Sequence, residues 1–209
     1  MPMTVGGSPG SPYINPYTDI AHYLRGLGTV SMEHFTVTIW HRWITEPTAD
    51  SPMAKILMVR GRNGSGGTQN VRDVYLMGGS SGWGVRLKSV GLYTWNGEYT
   101  VGVNTGIDDI VEGQWYHYAL VGDGANGVKV YQDGVEVLSQ STSLIGMGDI
   151  NYILSPGNNY DVMDSEGQVA HVKYWTVALT QAEVASEMAT GEPFRLSDIK
   201  CWRPHLDDT

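Results

Sequence analysis

Oxygen-bearing side chains crowd one stretch of this chain: Asn158, Asn159, Asp161 and Asp164, with Glu166 just beyond. Calcium takes about six to eight oxygens from carboxylates, amides and carbonyls, so these four are the candidate metal ligands. Short Asn and Asp side chains also bond their own backbone and make turns, and that plainer use stands beside the metal one. Asp108 and Asp109 form a second acidic pair, better read as a turn. The candidate ligand-binding residues are aromatic. Trp83, Tyr93, Trp95 and Tyr99 sit beside turn signals on neighbouring strand-like runs. A ring with apolar faces and a polar edge can stack on a sugar. Tyr93 and Trp95 are two apart, so in a strand they share a face. Filling a core between two sheets is the competing use, and an inward face is the expectation for this pair.

Covalent catalysis finds no support. No nucleophile elbow joins a strand to a helix. The glycine-rich run from Gly61 to Gly67 lacks the Lys-Ser/Thr pair and the following helix of a phosphate-cradling loop. Cys201 is the single cysteine, which permits no intrachain disulfide and no cysteine-based zinc site. The six histidines include no i,i+4 pair, and His117 reads as a histidine packed in the core.

These side chains have to be carried by sheets. Among 209 residues there are 27 Gly, 12 Tyr and 7 Trp but 2 Phe, and only 17% are charged. Glycine supplies turns, and Tyr and Trp suit pleated, half-buried surfaces. A net charge of −9 repels phosphate backbones and anionic lipid, which argues against nucleic acid and membrane as partners. No apolar run approaches the ~20 residues of a membrane-spanning helix. The first residues lack a basic start and an apolar core, so no signal peptide is expected and the chain is expected to be soluble as made.

Residues 1–18 read as an extended arm, broken by Gly6, Gly7, Pro9, Gly10, Pro12 and Pro16. Such an arm needs support from its own domain or from a neighbouring subunit. A domain over 19–192 follows, with short strand signals at sandwich spacing. From Phe35 to Trp43 the odd positions Phe35, Val37, Ile39 and Trp43 make an apolar face, with Thr36, Thr38 and Arg42 opposite. That alternation predicts a half-buried strand. Between Gly113 and Val137, Trp115, His117, Ala119 and Val121 share one face, and Tyr116, Tyr118 and Leu120 the other. Asp133-Gly134 predicts a type I′ hairpin, because both positions need positive φ. Thr180 and Glu183 fit a capping box, which predicts one short helix ended by Gly191 and Pro193. Residues 193–209 read as a non-periodic tail carrying Trp202.

Three blocks, in order, resemble a known family. The first is Phe35-Thr36-Val37-Thr38-Ile39-Trp40. The second runs from Gly113-Gln114-Trp115-Tyr116-His117-Tyr118 to Tyr131-Gln132-Asp133-Gly134. The third runs from Gly167-Gln168-Val169-Ala170-His171-Val172-Lys173-Tyr174-Trp175 to Ala178-Leu179-Thr180-Gln181-Ala182-Glu183. Together they resemble the laminin-G-like, pentraxin-like branch of the concanavalin A-like lectins and glucanases. The resemblance implies an all-β, two-sheet antiparallel jelly-roll sandwich with one short C-terminal helix. It implies binding of carbohydrate or protein, often with Ca2+ at one rim. His171 stands where the family often has Asp, which puts the electrostatics of that strand in doubt. Relatives that hydrolyse glycans carry Glu-x-Asp-x-x-Glu, whose two carboxylates lie about 5 Å apart for a retaining mechanism. Here Asp161, Asp164 and Glu166 run with reversed spacing, so a glycoside hydrolase is the remote reading and no catalytic residue is assigned.

Two functions follow. One is a non-enzymatic structural subunit of a larger assembly, such as a virion decoration or fibre protein or a cell-surface filament, whose two arms lace it to other protein subunits. The other is a lectin-like module that binds glycan or protein at its rim, with calcium assisting.

Overall fold

The computed structural model describes residues 3–5, 31, 33–43, 54–62, 71–78, 90–95, 100–104, 110–141, 144, 149–153, 167–190, 193 and 195–203. Two antiparallel sheets account for the strands among them. The larger sheet holds β1 (Met3–Val5), β2 (His34–Trp43), β7 (Tyr116–Asp123), β8 (Val128–Gln132), β9 (Val135–Gln140), β11 (Gly167–Trp175) and β12 (Ile199–Arg203). Its order is β1-β11-β2-β7-β8-β9, with β12 also paired to β11. The smaller sheet has the order β10-β3-β4-β5-β6. Its strands are β3 (Ala54–Arg62), β4 (Val71–Gly78), β5 (Val90–Trp95), β6 (Thr100–Asn104) and β10 (Asp149–Ile153). The described helix, α1 (Gln181–Thr190), follows β11.

Alternation sets up the interior. Phe35, Val37, Ile39 and His41 of β2 lie opposite Gly122, Leu120, Tyr118 and Tyr116 of β7, and all of these side chains are buried or glycine. Gly122 is needed there, because a Cβ would run into the ring of Phe35 and into Leu144. Leu57 and Val59 of β3 are buried too.

The polar row of β2 does not face water as a half-buried strand would. Thr36 and Thr38 are fully buried, because the chain after β11 folds back across that face. The Thr36 hydroxyl donates to the Val177 carbonyl at 2.8 Å and accepts from the Leu179 amide at 2.9 Å. Beneath this strap, Ala119, Val121, Tyr131, Trp175, Leu179 and Val184 form a second apolar cluster. The strap and α1 thus cover this part of the larger sheet's outer face. The helix starts as its sequence dictates: the Thr180 hydroxyl accepts from the Glu183 amide at 3.3 Å, and the Glu183 carboxylate accepts from the Thr180 amide at 2.7 Å.

The Asp133-Gly134 turn has φ of 50° and 78°, the two positive values of a type I′ hairpin. Gly134 also lets α1 approach, since a Cβ there would press on Ala185. His171, with φ 50°, sits where the β11–β2 register shifts between Ala170 and Lys173. Asn, Asp and His are the side chains that best tolerate this left-handed region, so His for Asp at a bulge is a mild exchange for the backbone.

Both segments outside the expected domain contribute strands over their described residues. Met3–Val5 pairs with Val169, Gln168 and Gly167, so this part of the arm is carried by its own domain. The tail is not uniformly irregular: Ile199–Arg203 pairs with β11 and sets Trp202 opposite Lys173.

Candidate functional site

The ladder of the smaller sheet groups its residues into rows. Leu57 pairs with Leu76, Leu76 with Leu92, and Leu92 with Val103. Val59, Val74, Thr94 and Val101 form the next row of the same parity. Leu57 and Val59 are buried, and so is Ile56, where the β3–β4 register shifts between Lys55 and Leu57. The alternating rows belong to the opposite face. One is Met58–Tyr75–Tyr93–Gly102. The other is Tyr152–Arg60–Asp73–Trp95–Thr100. The register sets Tyr93 in a row with Tyr75, and Trp95 in a row with Asp73 and Arg60. It adds Tyr75, Tyr152, Arg60 and Asp73, which the sequence reading did not single out. Val74 to Met77 reads as a strand in the sequence, but strand order and register are not visible there.

Trp83, Tyr99, Asn158, Asn159, Asp161 and Asp164 lie outside the described residues, as do Asp108 and Asp109. Among the described residues, no three His, Cys, Asp or Glu side chains gather as a metal site.

The larger sheet carries a different cluster on its outer face. His117, on β7, is buried as expected, but it is bound to charge rather than simply packed. Its Nε2 lies 2.8 Å from Glu187 Oε2, and Lys173 Nζ contacts Glu187 Oε1. All three side chains are shielded from solvent. The hairpin turn aims His117. Its backbone amide donates to Asp133 Oδ1 at 2.9 Å, and its carbonyl accepts from the Asp133 amide at 2.9 Å. Trp40 packs against the ring, with centroids 5.3 Å apart. Burial pushes the Glu187 carboxyl up, but the hydrogen bonds and charges of His117 and Lys173 outweigh it and hold the carboxyl below its usual value. Sequence spacing gave no hint of this trio, which joins β7, β11 and α1.

Beside the start of α1 lies a cleft of about 270 Å³, lined in part by Asp123, Lys129, Tyr131, Glu136, Thr180 and Gln181. Its polar groups partner one another. Lys129 Nζ is 3.3 Å from Glu136 Oε2, and the Tyr131 hydroxyl donates to the same oxygen at 3.3 Å. Burial and Glu136 push the Tyr131 hydroxyl up to about 12.

Comparison with known proteins fits this architecture. The family profile Laminin_G_3, described as the concanavalin A-like lectin/glucanases superfamily, matches residues 18–185. The chain belongs to this family. A comparison with curated proteins finds no match. Among solved structures, the laminin-G-like chain is similar to a putative carbohydrate binding protein from Bacteroides ovatus. The TM-score is 0.58 at 19% identity, over 85% of this chain and 46% of that one. The chain therefore spans less than half the length of that protein. It is also similar to a heptameric SAP-like pentraxin from Limulus polyphemus, with TM-score 0.52 at 16% identity, over 77% of this chain and 71% of that one. Domain 4 of an extracellular arabinanase from Geobacillus stearothermophilus, solved with arabinotriose, matches with TM-score 0.52 at 21% identity, over 75% and 67%. No helix among the described residues is long and apolar enough to cross a membrane.

Proposed function

We propose that this laminin-G-like chain is a non-catalytic carbohydrate-binding module whose contact surface is the outer face of the smaller sheet. The observation that supports the reading is the register, which sets Tyr75 beside Tyr93 in one row and Trp95 beside Asp73 and Arg60 in the next row of the same parity. Aromatic faces stack on the C–H faces of a sugar, and charged groups at their edges fix its hydroxyls. On the larger sheet, the strap and α1 cover the described part of the corresponding face around β2 and β7. The putative carbohydrate binding protein and the arabinotriose-bound domain among the structural relatives support the same reading by analogy of fold.

The test is a glycan array on the full chain, followed by calorimetry on the best ligand. Trp95→Ala and Tyr93→Ala should each weaken binding by about tenfold or more, in line with ~1–3 kcal/mol for the loss of a stacking ring at a contact centre, with an unchanged far-UV spectrum. Unchanged affinity in both variants would sink the proposal. Calcium assistance belongs to the same reading. Asp161, Asp164, Asn158 and Asn159 supply the carboxylate and amide oxygens that calcium takes. A rise in melting temperature with millimolar calcium, absent in Asp161→Asn/Asp164→Asn, supports that role; no rise removes it.

Incorporation into a virion or surface filament is a second reading. The observation favouring it is that β1 and β12 both lie along one edge of β11, where a neighbouring subunit could exchange an extended segment. Light scattering after size-exclusion chromatography tests it. A monomer at all concentrations speaks against the assembly and leaves glycan binding intact.

A further inference from the structure

The Lys173–Glu187–His117 cluster lies on the larger sheet, away from the face proposed for glycan. Lys173 and Glu187 are fully shielded from solvent and in contact. A lysine ammonium has three donors, and Glu187 is its one acceptor among the described residues. Two buried charges with so few partners are expensive to keep dry, since each ion forfeits several kcal/mol of hydration. An amide joining the two side chains would remove both charges and leave a single N–H and a single carbonyl.

We infer that Lys173 and Glu187 condense into an intramolecular isopeptide bond, with His117 as the positioning and proton-relay residue. The pair starts ionised, so Nζ must first give a proton to the carboxylate it touches. Its lone pair then attacks Cδ of Glu187, and the Nζ–Cδ bond forms. The Cδ–Oε2 bond breaks. Oε2 departs as water with the two protons Nζ has lost: the first passes from Oε1, which Lys173 contacts, to Oε2, and the second is relayed through His117 Nε2, which already lies 2.8 Å from Oε2. No oxidant, reductant or outside reactant is consumed, and the pair is neutral overall before and after. Well-oriented intramolecular partners reach effective molarities of about 10⁵–10⁸ M, and excluded water protects the product from hydrolysis. Asp133 and Trp40 keep the His117 ring aimed at the carboxylate.

The experiment is the intact mass of the purified full chain, unfolded just before measurement. The expected species is one water lighter than the sequence mass, in a fraction that grows while folded protein stands near neutral pH. Its digest should contain a branched peptide joining the segments around Lys173 and Glu187. Asp123-Gly124 and Asp133-Gly134 can also lose water by cyclising, so Lys173→Arg separates the sources: it keeps the charge, lacks the amine and should hold its full mass. His117→Gln should condense roughly a hundredfold more slowly, the scale of a lost proton-transfer group. The inference fails if wild type keeps its full mass on prolonged incubation, or if Lys173→Arg loses water to the same extent as wild type. Should that variant not fold, the absence of the branched peptide from wild type is enough to overturn it.

Discussion

The two sheets use the same alternation for opposite ends. In the larger sheet, the second row of β2 and β7 is covered by the strap and α1, and it holds buried threonines, an apolar cluster and a charged trio. In the smaller sheet, the second row carries Tyr75, Tyr93, Trp95, Arg60 and Asp73. The contrast teaches that a polar row in a strand does not announce solvent. A later segment of chain decides whether that row becomes a second core or a contact surface.

The largest expected difference is in acid. His41, in the interior between the sheets, is buried and its pKa is lowered by burial from 6.5 to about 3. The unfolded chain binds the proton first. The stability from keeping His41 neutral is therefore complete above about pH 6.5 and is lost as pH falls towards 3, by roughly 4–5 kcal/mol in total at ~1.4 kcal/mol per pH unit. Denaturant unfolding of wild type and His41→Gln across that range should show the variant with the shallower decline; parallel curves would refute the assignment. Next comes the trio. Relative to the uncondensed wild-type chain, Lys173→Met leaves the Glu187 carboxylate buried without its ammonium, and about 3–5 kcal/mol should be lost. Lys173→Met with Glu187→Leu should recover most of it, whereas a surface pair would show neither effect.

Smaller effects sharpen the contrast. Gly122→Ala forces a methyl into the Phe35 ring and should cost about 1–3 kcal/mol, readable as a lower denaturant midpoint with unchanged slope. Trp95→Ala on the outer row of the smaller sheet should change stability by no more than about 0.5 kcal/mol while lowering glycan affinity. A loss near the ~3–5 kcal/mol typical of a core tryptophan would place Trp95 inside and erase the difference between the sheets.

Local rules wrote much of the scaffold in advance. The Phe35 strand, the Asp133-Gly134 turn and the Thr180 capping box each depend on a few adjacent residues, and each was legible. What escaped depends on partners far along the chain. Thr36 and Thr38 looked solvent-facing because the strap that covers them begins some 140 residues later. Tyr93 and Trp95 could be grouped by parity, but their row partners on β4 and β3 emerge only from the strand register. β10 and β12 were not anticipated as strands. Lys173, Glu187 and His117 meet only after β7, β11 and α1 are assembled. The candidate calcium ligands lie outside the described residues, so their reading rests on composition alone.

One feature of the larger sheet bears on how the protein behaves in a crowd. β11 takes β2 on one side, and its other side is shared end to end by β1 and β12. An open strand edge is a template for pairing with another chain. Two short segments from opposite ends of the sequence therefore act as fenders, and neither guards the whole edge alone. Removing Met3–Val5 would bare the amides and carbonyls of Gly167–Val169, and removing Ile199–Arg203 would bare those of Val172–Trp175. Either cut turns a finished border into an adhesive one, so aggregation rather than unfolding should be the first symptom of trimming at either end.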